Sequence, residues 1–112
     1  MKLFNIIKDH FNKAEFTIAP NKKLKTISKE FKEAFGLSLI FYKGKMIAED
    51  SLTLAALNNK TSKEELKLKA SMKVSDAEKL FDSLYGVTVQ IKDKTAKNLV
   101  DNNLTIGDAS RQ

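Results

Sequence analysis

Few residues of this 112-residue chain have side chains that catalysis or metal binding requires. There is no cysteine, which excludes thiolate nucleophiles, disulfides and zinc–sulfur sites. The only histidine, His10, has no partner in the sequence for a metal site or for activating a nucleophile. We therefore predict no catalytic residue, no metal site and no cofactor.

Carboxylates are adjacent in the sequence at Glu49-Asp50 and at Glu64-Glu65. A catalytic carboxylate pair needs a cleft that separates the two pKa values. The sequence around Glu49-Asp50 indicates a helix cap instead, and Glu64-Glu65 lies where a loop leads into a strand. The four glycines form no cluster that could hold a phosphate group. We therefore expect a protein that is not an enzyme.

A candidate binding surface follows from the alternation of side chains along two predicted strands. If Leu39 and Phe41 face the interior, their neighbours in the sequence face solvent. Lysines alternate with apolar residues in the same way along the strand expected beside them. The interaction surface predicted from this alternation consists of Ile40, Tyr42, Lys67, Lys69 and Lys73.

This surface is compatible with two functions. An exposed apolar patch at Ile40 and Tyr42 is typical of a protein–protein interface, which favours a small protein-binding module with an unidentified protein partner. A lysine row beside an aromatic ring can also bind single-stranded RNA or DNA, which is the alternative function. In a further arrangement, an amphipathic helix predicted at residues 3–13 covers the patch and leaves the lysines as a solvated rim.

The formal charge of +6 is concentrated in the first half of the chain. Residues 1–48 contain ten lysines and four carboxylates, whereas residues 49–112 contain ten cations and ten carboxylates. Only one of the twenty cations is arginine, the residue that bidentate phosphate and guanine recognition favours. The lysine excess therefore fits weak electrostatic steering better than sequence reading, and the simpler interpretation is an A/T-rich genome that encodes lysine wherever a solvated cation suffices.

The sequence also bears on location. No segment approaches the roughly 20 apolar residues that a membrane-spanning helix needs. The first ten residues do not match a signal peptide, because Asn5 and Lys8 interrupt the apolar run. We expect a cytoplasmic protein without integral membrane association.

The elements that must position these residues occur twice. Two segments, about 24–57 and 74–109, share a pattern of aromatic, glycine and apolar positions, in which Phe31 falls on Phe81. Such an internal repeat predicts two similar halves that share one core. At this length we expect a single α+β domain over residues 1–112.

Apolar spacing predicts one amphipathic helix in each repeat. The first helix ends at Gly36 and the second at Gly86, because glycine adopts the left-handed conformation that closes a helix. Ser75 followed three residues later by Glu78 matches a capping box, which predicts that Ser75 caps the second helix.

Alternating apolar and polar residues predict the strands. The most regular alternation starts at Leu66 and continues to Val74. A short helix, 52–57, is expected with Asp50 or Ser51 as its cap. The predicted strands are 16–18, 37–42, 46–48, 66–74, 87–91 and a return strand at 97–100.

Two strand–helix–strand units with right-handed crossovers combine most simply into one sheet with both helices on one face. This is the ferredoxin-like arrangement, here extended by the N-terminal helix. The predicted interior consists of Leu37, Leu39, Phe41, Leu66, Leu68, Met72, Val87, Val89 and Ile91, packed on Ile27, Phe31, Phe35, Leu80, Phe81 and Leu84.

The first 70 residues also resemble a ubiquitin-like β-grasp domain. The residues that carry this resemblance are Thr26-Ile27, Gly36, Leu39-Ile40-Phe41, Gly44-Lys45, Asp50 and Thr53-Leu54. The resemblance implies a β-grasp-like fold as the alternative, with a protein-binding surface on the strand that contains Ile40.

Residues 24–109 resemble a set of short, functionally uncharacterised bacterial proteins with two repeats. In that set, a helix ending in Phe-Gly, a turn ending in Tyr-x-Gly and an Asp-x-x-Thr-Leu segment occur twice. The matching residues are Phe35-Gly36, Tyr42-Lys43-Gly44, Asp50, Thr53-Leu54, Met72-Lys73-Val74, Tyr85-Gly86 and Leu104-Thr105. This resemblance implies a bacterial origin and no particular activity.

Overall fold

The computed structural model describes residues 15–60 and 63–111. The helix predicted for residues 3–13 lies outside the described residues. The described part contains both strands and helices, which confirms the α+β class. The elements are β1 (Phe16–Ile18), α1 (Leu24–Phe35), β2 (Ser38–Lys43), β3 (Met46–Ile47), α2 (Leu54–Leu57), β4 (Leu66–Leu68), α3 (Val74–Tyr85), β5 (Thr88–Lys92) and α4 (Ile106–Ser110).

The strands of the described residues form two antiparallel sheets. β1 pairs with β4 in the first sheet, and β2 pairs with both β3 and β5 in the second. The single ferredoxin-like sheet predicted from the sequence is therefore not observed. The strands likewise do not form the single sheet expected for the β-grasp alternative.

The turns that follow β1 and β4 limit each of these strands to three residues. After three residues, each strand enters a turn that is bonded to the short helix of its own half. The carbonyl of Pro20 accepts a hydrogen bond from the N–H of Ala55 at 2.8 Å, and that of Ala70 accepts one from Gly107 at 2.9 Å. These bonds end both strands after three residues. The two short strands then pair with each other across the two halves.

In both sheets, a strand of one half pairs with the equivalent strand of the other half: β1 with β4, and β2 with β5. A pseudo-two-fold axis therefore relates the halves. In the small sheet Thr17 faces Lys67, and in the larger sheet Ile40 faces Gln90. Both pairs are separated by fifty residues, which is the offset of the sequence repeat. Facing residues of an antiparallel pair are related by a local two-fold axis. The same offset at both places means that one axis relates the two halves.

The two long helices end as the sequence predicts. Gly36 and Gly86 follow α1 and α3 with φ of 69° and 64°, and each donates its N–H to a carbonyl in the last turn. Both values lie in the left-handed region that glycine occupies without steric penalty. The chain therefore leaves each helix directly into a strand of the larger sheet.

The predicted capping box of α3 is wrong. The helix begins at Val74, and its N-cap residue makes no side-chain hydrogen bond. The N–H groups of Val74 and Ser75 donate instead to the carbonyls of Leu104 and Asn102, at 2.9 and 3.1 Å. Because a returning loop satisfies these first N–H groups, the helix needs no side-chain cap. The carboxylate of Glu78 is consequently free to bond elsewhere.

Threonine side chains cap the two short helices. Thr53 and Thr105 each accept the backbone N–H three residues further on, at 3.1 and 3.0 Å. The predicted cap of the first short helix by Asp50 or Ser51 is therefore wrong. The backbone of this segment serves α1 instead, because the carbonyl of Asp50 accepts the N–H of Lys25 at 3.2 Å.

Two predicted strands are shorter than expected. The strand that begins at Leu66 ends at Leu68, because the N–H of Met72 donates back to the carbonyl of Lys69 at 3.0 Å and closes a turn. The return strand predicted for residues 97–100 is reduced to an isolated bridge to β5.

Both sheets and both long helices contribute to one core. Phe31 and Phe81 are fully buried, and the ring of Phe81 meets that of Phe41 edge-on with centroids 5.7 Å apart. This contact joins the helix of the second half to a strand of the first. The predicted interior is confirmed as buried except at Met72, Leu80 and Leu84, which are partly buried.

The equivalent positions of Phe31 and Phe81 allow a paired test of the core. Replacing either ring by alanine leaves a large cavity, and each variant should lose about 3–5 kcal/mol of unfolding free energy. Urea unfolding followed by circular dichroism measures both losses. Unchanged midpoints in both variants would contradict the common core.

Two glycines with similar backbone angles allow a second test. Gly44 and Gly86 both have φ near 64°, where alanine costs roughly 1–2 kcal/mol. A Cβ at Gly44 would meet nothing within 4 Å, whereas one at Gly86 would lie 3.1 Å from Cβ of Asn59. Thermal unfolding should therefore show a larger loss for Gly86→Ala than for Gly44→Ala. Equal losses would mean that the loop at Asn59 does not pack against the end of α3.

Candidate functional site

The surface predicted from the sequence is divided between the two sheets. Ile40 and Tyr42 lie on β2 and are partly buried. Lys67 lies on β4, while Lys69 and Lys73 lie between β4 and α3, and all three are exposed. Because β4 pairs with β1 and not with β2, the lysines and the aromatic ring do not share a sheet.

Tyr42 is held in place by the strand beside it. Its hydroxyl donates to Oε1 of Gln90 on β5 at 2.7 Å. The ring is therefore fixed against the larger sheet and is not a freely exposed stacking surface. Ile40, which faces Gln90 across the sheet, lies at the pseudo-two-fold axis.

A groove with a volume of about 380 Å³ lies between α1 and the edge of β2, and we call it the α1–β2 groove. Its wall on the sheet side is mainly apolar, and two lysines lie on the helix side. The lining residues are Leu24, Ser28, Lys29, Lys32, Ser38, Leu39, Ile40, Phe41, Ile47, Ala48 and Asp50.

The groove forms because the chain turns away from β2 after the β3 hairpin. The N–H of Ala48 donates to the carbonyl of Phe41 at 2.9 Å, which is the last backbone bond between these two segments in the described chain. Two residues later, the carbonyl of Asp50 accepts the N–H of Lys25 at the start of α1. Among the residues that the structure describes, the edge of β2 at residues 38–40 consequently has no neighbouring strand on this side.

One backbone N–H points from β2 towards this open edge. Leu39 faces Ile91 across the sheet. The carbonyl of Leu39 accepts a hydrogen bond from the hydroxyl of Ser28 at 2.8 Å, and the N–H of Ile91 donates one to the carboxylate of Glu78 at 2.9 Å. Both groups point away from the opposite strand, so this is a non-hydrogen-bonded pair. The N–H of Leu39 therefore faces the groove, and none of the described residues accepts it.

Two cations border the groove on the helix side. Lys29 and Lys32 are one turn apart on α1, which places them side by side on its surface. Both are exposed, and neither forms an ion pair within residues 15–60 and 63–111. The one ion pair of α1 in that part of the chain joins Glu30 to Lys22 at 2.8 Å.

The second half contains a related groove of about 330 Å³ between α3 and β5, the α3–β5 groove. The repeat offset of fifty residues places Asp82 of this groove at the position equivalent to Lys32 of the first. It places Glu78 at the position equivalent to Ser28. The two grooves therefore have similar backbone frames, but their charged lining residues differ in net sign: Lys29, Lys32 and Asp50 sum to +1 in the first, and Glu78, Lys79 and Asp82 sum to −1 in the second. The lining residues of the α3–β5 groove are Ser75, Glu78, Lys79, Asp82, Thr88, Val89 and Asn102.

Three residues of the α1–β2 groove were not predicted from the sequence to belong to a binding surface: Lys29, Lys32 and Ile47. A signal for Lys32 was present, because aligning the repeats places Lys32 on Asp82 and so shows a reversal of charge at equivalent helix positions, whereas Lys29 falls on Lys79. No such signal existed for Ile47, since its exposure depends on how far β3 extends along β2.

The pKa values of Tyr85 and Asp93, which lie outside both grooves, are shifted by their surroundings. Burial, together with the nearby carboxylates of Glu64 and Glu65, raises the pKa of Tyr85, whose hydroxyl donates to the carbonyl of Glu64. Hydrogen bonds from the side chains of Thr95 and Asn98 lower the pKa of Asp93 to about 2. Both groups fix loops at the ends of elements.

Within residues 15–60 and 63–111, no three potential ligands among His, Asp and Glu come together as a metal site would need. No helix in this part of the chain has the length and apolar content required to cross a bilayer. Comparisons of the chain with protein-family models, with characterised proteins and with solved structures found no match.

Glu78 provides a test of the α3–β5 groove. Burial raises the pKa of its carboxyl above 4.5, and the hydrogen bond from Ile91 opposes this shift in part. The folded state therefore holds the proton more tightly than the unfolded state. The contribution of Glu78 to stability is greatest below pH 4.5 and decreases as the pH rises through the raised pKa.

In Glu78→Gln, the amide oxygen can still accept the Ile91 N–H while carrying no charge. We expect the stability of this variant not to show the decrease with rising pH that Glu78 causes in wild type. At pH 7 the variant should be at least as stable as wild type. Urea midpoints measured from pH 4 to pH 8 test the difference between the two proteins. A variant whose relative stability falls as the pH rises would contradict the burial of Glu78.

Proposed function

We propose that the protein is a non-enzymatic protein-binding module and that the α1–β2 groove is its binding surface. The observation that carries this proposal is the apolar groove beside an open strand edge. Ile47 lines it with 68% of its surface exposed, and the adjacent Met46 is 76% exposed. Neighbouring exposed apolar side chains next to a concave apolar surface favour a protein interface.

The two exposed residues lie on β3, at the outer edge of the larger sheet. Lys45 directly precedes them and Lys43 faces Met46 from β2, and lysines at a sheet edge are a common protection against aggregation. An edge with this protection can remain open for a specific partner. The surface thus keeps Ile40, which the sequence analysis identified, and adds Ile47 as its most exposed apolar residue.

The alternative, binding of single-stranded RNA or DNA, has less support. Stacking of bases requires exposed aromatic rings. The aromatic residues of the described chain are buried except for Tyr42, which is partly buried and bonded to Gln90. Lys67, Lys69 and Lys73 remain exposed, so phosphate contact alone would have to supply the affinity.

Two exposed apolar residues provide a matched test of this proposal. Ile47→Asp places a charge in the groove, whereas Leu99→Asp places one at a site that is 64% exposed and outside it. Immobilised wild type and Leu99→Asp should retain the same polypeptides from a lysate of the source organism, and Ile47→Asp should lose them. Thermal unfolding should show that all three proteins are folded.

Identical sets of polypeptides on all three proteins would remove the groove as the binding surface. Retained material that is destroyed by nuclease and not by protease would replace the proposal with the nucleic-acid alternative.

A further inference from the structure

We propose that the occupant of the α1–β2 groove is an extended polypeptide segment in which carboxylates alternate with apolar residues. It would pair with the open edge of β2. This inference rests on the proposed function and names the chemistry of its partner.

The open edge favours an extended segment over a helix. The N–H of Leu39 faces the groove, and residues 38–40 have no neighbouring strand on this side within the described chain. A polypeptide that adds a strand to such an edge gains main-chain hydrogen bonds, and its alternate side chains fill the pockets beside it. The apolar lining contributed by Leu24, Phe41 and Ile47 suits apolar side chains at alternate positions.

The charge of the groove favours carboxylates in the partner. Lys29 and Lys32 are exposed at its rim and outnumber the one carboxylate of the lining, Asp50. The α3–β5 groove has Asp82 where the first has Lys32. Two grooves with similar frames and opposite charge should select partners of opposite charge. The α1–β2 groove is the one that attracts an acidic segment.

Two other occupants fit less well. The N-terminal residues 1–14 are apolar in part, but they contain three lysines and only one carboxylate, Asp9, so they do not complement Lys29 and Lys32. A second copy of the chain could offer Asp82 from its α3–β5 groove, but that carboxylate lies on a helix and cannot extend along a strand edge.

The test uses two fluorescein-labelled nonapeptides, one alternating Asp with Ile and one alternating Lys with Ile. Fluorescence anisotropy with the full chain should show binding of the acidic peptide only, and the affinity should decrease as salt is added. Lys29→Glu should weaken this binding roughly tenfold or more. Lys79→Glu, at the equivalent position of α3, serves as the control and should leave it unchanged.

Amide exchange supplies a second measurement that does not depend on a variant. The acidic peptide should slow exchange of the N–H of Leu39 and should not slow that of Val89, its equivalent on β5. Equal binding of both peptides, or equal losses in Lys29→Glu and Lys79→Glu, would overturn the inference.

Three other outcomes would also overturn it: no binding of either peptide, displacement of the acidic peptide by single-stranded RNA, or a concentration-dependent dimer that Lys29→Glu dissociates. If Ile47→Asp still loses its polypeptide partners while the acidic peptide fails to bind, the protein-binding function stands and only the acidic, extended partner is rejected.

Discussion

The structure depends on the pairing of β2 with β5, which joins the two halves at their pseudo-two-fold axis. Ile40 faces Gln90 at the centre of this pairing, and on the helix side of the sheet the ring of Phe41 meets that of Phe81. Within residues 15–60 and 63–111, neither half supplies a strand of its own to pair with the inner edge of β2 or of β5. Each half therefore completes its sheet and its core only by using the other, as two subunits of a symmetric dimer would.

Backbone hydrogen bonds preserve the symmetry, while the side chains depart from it. The N–H of Leu24 donates to the carbonyl of Leu52, and that of Val74 donates to Leu104, at 2.8 and 2.9 Å. These bonds fix the frame of each half independently of surface residues. Charges on the two helices can consequently differ without a change of fold, and this freedom gives the two grooves opposite charge.

Much of the fold could be predicted from the sequence, because periodicity reports which face a residue occupies. The buried faces of α1 and α3 and the glycines that end them follow from this signal. Periodicity does not report which strand lies beside which, so the placement of Lys67 next to Tyr42 was wrong. The strand beginning at Leu66 was predicted to be too long for a related reason. Its alternation of apolar and polar residues continues through a turn, and the sequence does not show the hydrogen bonds that this turn makes with Gly107 and its neighbours.

The pairing of β2 with β5 can be measured directly by NMR. Leu39 and Ile91 form a non-hydrogen-bonded pair, in which the two Cα atoms lie only about 4.5 Å apart and their hydrogens approach each other closely. This pairing predicts a strong nuclear Overhauser effect between the Hα atoms of Leu39 and Ile91, and a second between those of Phe41 and Val89. Effects that instead connect Leu39 or Phe41 to Leu66 or Leu68 would place β4 beside β2 and contradict the two-fold arrangement of the halves.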